Sequence, residues 1–214
     1  KFANFTTREG LAHDFAKCVF QDRAGTLWVG SHGGGLSRYT DGRFAGVTEA
    51  ELAGQFIWAM EEDRAGRLWL GTAHPASLSV LEHGRLTTYR PADGFRIEGG
   101  VRVVFADRAG DLWLGGDGGG LGRQRDGAFS YFTTRDGLPA NVIRAIGQDR
   151  AGRLWIGTTE GLARFHEGQF VNFTTAHGLA HNLVYAIHED ADGILWFGTQ
   201  GGLTRYAEGR FRSY

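Results

Sequence analysis

The sequence predicts an all-β fold, a β-propeller built from four-stranded antiparallel blades. One decapeptide, DRAGRLWLGT at Asp63 and DRAGRLWIGT at Asp149, occurs in five variants along the chain. The tryptophans of these variants are 41, 44, 42 and 41 residues apart, at Trp28, Trp69, Trp113, Trp155 and Trp196. The whole chain therefore divides into five repeats of about 42 residues, and four-stranded units of this length are typical of propellers.

The fourth repeat shows the expected order of elements. The segments VIRAIGQD, RLWIGT, LARFH and EGQFVNFTT each contain a short run that is rich in β-branched and aromatic residues. Turns that contain glycine separate these runs, and no segment has the periodicity of a helix over helix length. We therefore expect four strands in each repeat.

The aspartate and the glycine of the decapeptide are interpreted as hairpin residues. An aspartate at the start of a turn accepts hydrogen bonds from the backbone ahead of it, and a glycine three places later supplies a positive φ. The pairs are Asp22/Gly25, Asp63/Gly66, Asp107/Gly110, Asp149/Gly152 and Asp190/Gly193. The Leu-Trp pair that follows puts a large apolar side chain on each face of a strand, so both faces need cover. We predict that the tryptophans are wedges between blades rather than a ligand cage.

The composition excludes several classes of function. A formal net charge of −1 gives no bulk attraction to nucleic acid or to an anionic membrane. Cys18 is the only cysteine, which excludes an internal disulfide and a cysteine zinc cluster. No apolar run approaches the ~20 residues that a membrane helix needs. We expect no metal, no cofactor and no membrane insertion by this segment.

The predicted blade repeats are residues 1–44, 45–86, 87–129, 130–170 and 171–214, in one propeller domain or in a segment of a larger propeller. The first residues, KFANF, align with the last, RFRSY, so the sequence of an outermost strand occurs at both ends. Three interpretations stay open: a five-bladed ring, a segment of a longer array, and an excised or recombined fragment. Open edge strands would favour self-association.

Two stretches resemble the two-component regulator propeller repeat: TTRDGLPANVIRAIGQDRAGRLWIGTTEGLARF (133–165) and TTAHGLAHNLVYAIHEDADGILWFGTQGGLTRY (174–206). The resemblance extends over all five repeats, and the second departs most from the pattern. It implies a propeller in the extracytoplasmic (periplasmic) part of a sensor, with further blades or a downstream signalling domain as partners. It also implies a module that senses a ligand or transmits a signal, and not an enzyme.

Candidate ligand-binding residues are found where the repeats differ. Five residues before each repeat aspartate, on the first strand of the blade, lie Lys17, Trp58, Arg102, Arg144 and Tyr185. Cationic and aromatic side chains offer charge-assisted hydrogen bonds and stacking to an anionic or sugar-like ligand. The alternative is that their stems pack between blades while their heads reach water.

The loop before that strand supplies a second candidate set at the same mouth of the channel: His13, Asn141, His181 and Asn182. Polar loop residues on a rigid scaffold are the usual place for binding. Asn141 and Asn182 recur in frame with the repeat, however, so capping of the turn is an equal alternative.

The sequence thus predicts a non-catalytic ligand-sensing propeller whose ligand is a carbohydrate or another polar small molecule at the channel mouth. The alternative is a protein-interaction scaffold without a ligand of its own. A propeller lyase or glycosidase is a third class, and a glycosidase needs two carboxyl groups that converge across a cleft. Glu61, Glu62 and Asp63 do not supply such a pair, because the turn already uses Asp63.

Overall fold

The protein folds as an all-β chain of five four-stranded antiparallel sheets, in which each sheet uses four consecutive strands. The structure is a computed structural model that describes residues 2–47 and 51–214. The predicted fold class, a propeller architecture of four-stranded blades, is confirmed.

The chain forms two compact units, Lys1–Ala106 and Asp107–Tyr214, and the boundary falls between the ninth and the tenth strand. The strands of the first unit are β1 Ala16–Gln21, β2 Leu27–Ser31, β3 Leu36–Thr40, β4 Arg43–Gly46, β5 Phe56–Glu62, β6 Leu68–Ala73, β7 Ser77–Glu82, β8 Arg85–Tyr89 and β9 Glu98–Ala106. The strands of the second unit are β10 Leu112–Gly118, β11 Leu121–Arg125, β12 Ala128–Phe132, β13 Ile143–Gln148, β14 Leu154–Thr158, β15 Leu162–His166, β16 Gln169–Phe173, β17 Val184–Glu189, β18 Leu195–Thr199, β19 Gly202–Ala207 and β20 Arg210–Ser213.

Single 3₁₀ turns precede four of the sheets: Thr7–Glu9, Pro91–Asp93, Thr134–Asp136 and Thr175–His177. Each ends at a glycine in the left-handed conformation, for example Gly137 with φ 103°. A side chain with Cβ is strained in this conformation, which is why the Gly-Leu signal of the loop recurs in the sequence.

The aspartate turn has the predicted hairpin geometry. In the fourth repeat the main-chain oxygen of Asp149 accepts from the Gly152 N–H at 2.9 Å, and Oδ1 of Asp149 accepts from the Arg153 N–H at 2.9 Å. Gly152 has φ 80°, and the four equivalent glycines also have positive φ. The turn therefore sets the register of the two strands that it joins.

The tryptophans are buried or half-buried, and Trp155 lies as a wedge between two sheets. Trp69, Trp113 and Trp155 are buried, whereas Trp28 and Trp196 are half-buried. Trp155 packs in a core cluster with Leu162, Val184 and Phe197, which joins the fourth sheet to the fifth. In the first unit an equivalent cluster joins the first sheet to the second.

The two similar ends of the sequence have different structures. Arg210–Ser213 forms β20 and pairs with β19, whereas residues 2–6 belong to no strand of the described chain. Phe5 instead packs edge-on against the rings of Tyr39 and Phe44. Lys1, which aligns with Arg210 in the sequence, lies outside the described residues.

Candidate functional site

Four of the five predicted ligand-binding positions on the first strands coincide with β-bulges. The pairing of β1, β5, β13 and β17 with the next strand shifts register, and the residue left out of the pairing is Lys17, Trp58, Arg144 or Tyr185, respectively. A bulge releases a residue from the alternation of its strand and re-aims its side chain. This explains why the side chain at this position varies in size and charge between repeats while its two neighbours on the strand stay apolar.

In the first unit, three of the predicted residues form one group around an indole ring. The guanidinium carbon of Arg102 lies 4.1 Å from the centroid of the Trp58 ring, and Nζ of Lys17 lies 5.7 Å from it. Both cations are within the ~6 Å over which a ring face attracts a positive charge. We call Lys17, Trp58 and Arg102 the Trp58 cluster.

The backbone of β9 holds the indole in place. A Cβ atom at Gly100 would lie 2.7 Å from the Trp58 ring and 2.7 Å from Cβ of Ala73, so only glycine fits there. The indole Nε1 of Trp58 is buried and has no hydrogen-bond partner among the described residues. Burial of this donor without a partner is costly.

A row of rings that the sequence did not predict continues from the Trp58 cluster. His74 lies edge-on to Trp58 with centroids 5.8 Å apart, and Phe56 lies 5.7 Å from His74. His32 follows at 4.4 Å from Phe56, and Phe15 at 5.3 Å from His32. The sequence did contain a signal for this row. The segment AHPASLSVL departs from the repeat pattern, and this departure places His74 at the turn. The row gives the first unit a mixed surface of apolar and polar rings beside two cations.

In the second unit, Arg144 is paired with an acid that sequence analysis did not identify. Its Nη1 lies 2.6 Å from Oδ1 of Asp117, which neutralises much of its charge. Nε of Arg144 is buried without a partner among the described residues. Tyr185 is 52% exposed. As ligand contacts, Arg144 and Tyr185 stay predictions.

The two predicted loop histidines have the same local role. Nδ1 of His13 accepts from the Phe15 N–H at 3.0 Å, and Nδ1 of His181 accepts from the Leu183 N–H at 3.0 Å. Each histidine therefore fixes the loop that leads into its first strand. Nδ1 is used in both rings, so Nε2 is the atom that each could offer to a ligand.

The two predicted loop asparagines close their turns. Oδ1 of Asn141 accepts from the Thr134 N–H and Oδ1 of Asn182 from the Thr175 N–H, both at 2.9 Å. This is the capping role that sequence analysis held open as the alternative to binding. Their amide N–H groups could still donate to a ligand.

Glu62 and Asp63, in the acidic run Glu61–Asp63 of the second repeat, accept hydrogen bonds that stabilise the fold. Oε2 of Glu62 accepts from the backbone N–H of Arg23 at 2.7 Å, and Oδ2 of Asp63 accepts from Nε1 of Trp69 at 2.7 Å. Burial raises the pKa of Glu61 to about 7. The Glu62 contact joins the first two sheets, and the Asp63 contact lies within the second sheet. Together they leave no pair of free carboxyl groups in this run for acid/base catalysis.

Within residues 2–47 and 51–214, no three His, Cys, Asp or Glu side chains are grouped as metal ligands. Cys18 donates to the main-chain oxygen of Ile57 at 3.4 Å, and burial raises the pKa of its thiol to about 11. The thiol is therefore protonated at neutral pH and unreactive. No helix in the described part of the chain has the length and apolar character needed to span a membrane.

Comparison with known sequences identifies the repeat. The sequence profile of the two component regulator propeller family matches residues 10–33, 51–74, 137–160 and 178–201. Each matched segment contains the first two strands of a sheet and the aspartate turn between them. The chain carries two component regulator propeller repeats. The second repeat is matched in spite of its altered loops, whereas the third is not among the matched segments.

Solved structures agree with this family. The extracellular domain assigned to the hybrid two component system BT3049 from B. thetaiotaomicron superposes with a TM-score of 0.85 at 26% identity, over 94% of this chain and 29% of that structure. The chain thus spans less than a third of the length of that sensor domain.

Two other structures share the propeller fold at lower identity. Virginiamycin B lyase from Staphylococcus aureus, solved with quinupristin, has a TM-score of 0.74 at 16% identity over 93% of this chain and 69% of that one. PorZ of Porphyromonas gingivalis, a surface component of the type-IX secretion system, has a TM-score of 0.70 at 17% identity over 94% and 34%. No curated protein sequence matches the chain at a significant level.

Proposed function

We propose that this chain is the ligand-binding part of a non-catalytic sensor of the two-component type, and that it binds a carbohydrate or another anionic, polar small molecule at the Trp58 cluster. The observation that carries the proposal is the indole of Trp58 with Arg102 at 4.1 Å and Lys17 at 5.7 Å. A flat ring beside two cations suits a ligand that has both an apolar face and negative charge.

The similarity to the extracellular domain of a hybrid two component system supports a sensor role and an extracytoplasmic, periplasmic location. In such a system, further blades or a downstream signalling domain are the partners that receive the signal. Virginiamycin B lyase shares the fold at 16% identity. A similarity at this level is evidence for the fold only and gives no support for lyase activity. The framework contacts of Glu62 and Asp63 favour binding over hydrolysis.

Calorimetry tests the proposal with two matched panels, neutral oligosaccharides and oligosaccharides that carry uronate or sulfate groups. We expect binding of the charged panel, weakened by salt because screening acts on exposed charges. Arg102→Gln should weaken binding about ten- to hundredfold, the value of a lost charge-assisted hydrogen bond. Lys17→Gln should weaken it less, since Lys17 is exposed and more distant from the ring.

Arg85→Gln is the control, because Arg85 is an exposed cation on β8 outside the Trp58 cluster. Unfolding temperatures of all variants show whether the fold is intact. If neither panel binds, or if Arg102→Gln and Arg85→Gln bind equally well, the site is not at the Trp58 cluster. A chain that binds no member of either panel would instead favour the protein-interaction scaffold.

A further inference from the structure

The tryptophan of the first repeat lacks the aromatic neighbour that the other four have. In each of the other repeats, the tryptophan faces a ring from the end of the outermost strand, with ring centroids 5.7–6.2 Å apart. The four pairs are Trp69/Tyr89, Trp113/Phe132, Trp155/Phe173 and Trp196/Tyr214. The first repeat has Val47 at this position, and Trp28 is half-buried.

A second ring is also replaced beside Trp28. In the second unit, a ring from the third strand of the next sheet reaches the indole: Phe165 lies 5.5 Å from Trp113, and Tyr206 lies 5.2 Å from Trp155. The residue in the same strand register of the second sheet is Leu81. Between the first and second sheets, two smaller aliphatic side chains therefore stand where two rings pack in the second unit.

The smaller side chains leave a groove of about 370 Å³ between these two sheets of the first unit, and Trp28, Val47 and Leu81 line its apolar part. We call it the Trp28 groove. Ala45 and Gly46 line the same side and add little bulk. A cavity of about 150 Å³ holds a benzene ring, so the Trp28 groove has room for a ring that carries a further group.

The charge of the groove also departs from the repeat pattern. The tight turn between the third and fourth strands of a sheet starts with a residue of positive φ, which in four repeats is an acid: Asp41, Asp126, Glu167 and Glu208. The second repeat has His83 at this position, and His83 lines the Trp28 groove. Arg38, which pairs with Trp28 between β2 and β3, lines it too and forms no ion pair in the described part of the chain.

The two acids that line the groove already have hydrogen-bond donors. Oδ1 of Asp22 accepts from the Thr26 N–H at 2.7 Å, and Oδ2 accepts from Nε1 of Trp28 at 2.8 Å. Glu62, the second of these acids, accepts from the backbone of the first sheet as described above. Arg38 and His83 keep N–H donors in every protonation state, so they are the lining groups that can bind an anion.

We propose that the Trp28 groove is a second binding site and that it takes a small aromatic carboxylate. The ring of the ligand occupies the space of the rings that Val47 and Leu81 replace, and it packs on the indole of Trp28. The carboxylate accepts charge-assisted hydrogen bonds from Arg38 and the N–H of His83. The groove shares no residue with the Trp58 cluster, so this site is independent of the one proposed above.

Calorimetric titration with three related probes tests the ligand class. Phenylacetate has both the ring and the carboxylate, phenylethanol lacks the charge, and cyclohexylacetate lacks the aromatic ring. We expect phenylacetate to bind, and phenylethanol to bind about tenfold more weakly because the charge-assisted hydrogen bonds are lost. Cyclohexylacetate should bind about three- to tenfold more weakly, since an aromatic pair contributes more than its buried area. Equal affinity for the three probes contradicts the proposed ligand class.

Two variants test the place of binding. Val47→Phe restores the ring of the other repeats, so it should abolish binding of phenylacetate while the unfolding temperature stays at or above that of the parent. Arg38→Gln, at an exposed residue, should weaken binding about tenfold without a change in stability. The matched controls are Val171→Phe, since Val171 is 44% exposed on β16, and Arg210→Gln, at an exposed cation on β20. Both controls should bind like the parent.

Arg102→Gln separates this site from the Trp58 cluster, which also combines an indole with cations. It should leave the affinity for phenylacetate unchanged. If Arg102→Gln weakens binding while Val47→Phe does not, phenylacetate binds at the Trp58 cluster and the proposal is wrong. A chain that does not bind phenylacetate, or that binds it equally well after Arg38→Gln, also overturns the proposal. If Val47→Phe fails to fold, Arg38→Gln and Arg102→Gln decide between the two sites without it.

Discussion

The indole N–H of Trp155 donates to Oδ2 of Asp149 at 2.8 Å, within one repeat and fully inside the protein. The same bond exists in all five repeats at 2.7–2.8 Å. One carboxylate oxygen of the aspartate therefore accepts from the backbone of the turn, while the other fixes the position of the tryptophan side chain. This double use explains why aspartate and tryptophan recur together at a spacing of six residues.

Asp149→Asn is expected to destabilise the protein by about 1–3 kcal/mol, because the new amide faces a buried indole donor that has lost its acceptor. Asp190→Asn is the matched variant in the fifth repeat, where both Asp190 and Trp196 are only half-buried. Asp190→Asn should lower the free energy of unfolding clearly less than Asp149→Asn does, because water can replace the lost acceptor. Urea denaturation of the two variants measures the difference, and equal losses would show that burial does not set the strength of this bond.

Much of the fold could be predicted from the sequence because the framework residues recur. The period, the aspartate turn and the Leu-Trp strand all follow from local chemistry that every repeat shares. The indole-to-carboxylate bond was not predicted, because Asp149 and Trp155 meet only after the hairpin closes.

The candidate site was predicted in part. Lys17, Trp58 and Arg102 were found because their side chains differ between repeats, and at Lys17 and Trp58 a bulge frees the position from the alternation of the strand. His32, Phe56 and His74 were missed because their rings come together from three different segments of the first unit. Asp117 was missed for a similar reason, since it joins Arg144 across 27 residues of sequence. Contacts of this kind depend on tertiary packing and leave no periodic signal.

Glu61 should make stability depend on pH in the neutral range. Burial raises its pKa from an ordinary 4.5 to about 7 in the folded protein. Between these two pKa values the folded state therefore holds a proton that the unfolded state releases. The contribution of protonated Glu61 to the free energy of unfolding is fully present below pH 4.5 and is lost as the pH rises through about 7. The shift corresponds to at most about 3 kcal/mol.

Glu61→Gln removes this titration and keeps an oxygen acceptor. The variant should therefore unfold at a higher temperature than the parent at pH 8 and at nearly the same temperature at pH 4.5. Thermal unfolding monitored by circular dichroism at both pH values measures the effect. A stability difference that does not change with pH would contradict the assignment to Glu61.

Asp149 should act in the opposite direction. Burial by itself raises the pKa of Asp149, but hydrogen bonds from Trp155 and Arg153 outweigh it and lower the pKa below 3.8. The stability that Asp149 contributes is therefore present above its ordinary pKa and is lost as pH falls below it. Acid unfolding of Asp149→Asn should be less steep with pH than that of the parent chain.

Asp111 is a buried carboxylate that occurs in the third repeat alone. Its Oδ2 accepts from Nε of Arg123 at 2.7 Å and from Nη2 of Arg125 at 2.6 Å. Asp111→Asn should destabilise the protein by about 2–3 kcal/mol. This loss is smaller than that for a fully buried ion pair, because the Arg125 side chain is 54% exposed. Asp126→Asn, at an exposed turn residue nearby, should change the urea midpoint little. Similar shifts for both variants would show that the two arginines do not stabilise this sheet through Asp111.

Glycines at one repeat position should differ in their tolerance of a methyl group, depending on whether another sheet covers them. A Cβ atom at Gly71 would lie 2.6 Å from Cγ1 and 3.1 Å from the main-chain oxygen of Val101, whereas at Gly198 the nearest atom is Cβ of Ala186 at 3.3 Å. Neither glycine has a positive φ, so backbone strain does not enter the comparison.

Gly71→Ala should therefore destabilise the protein by about 1–3 kcal/mol through overpacking against Val101, with the backbone oxygen unable to give way. Gly198→Ala should be nearly neutral, because Ala186 needs to move by only a few tenths of an ångström and alanine favours the strand over glycine. Urea denaturation measures both variants. Equal losses at the two positions would mean that the spacing of the sheets in the first unit is not set by contact between Gly71 and Val101.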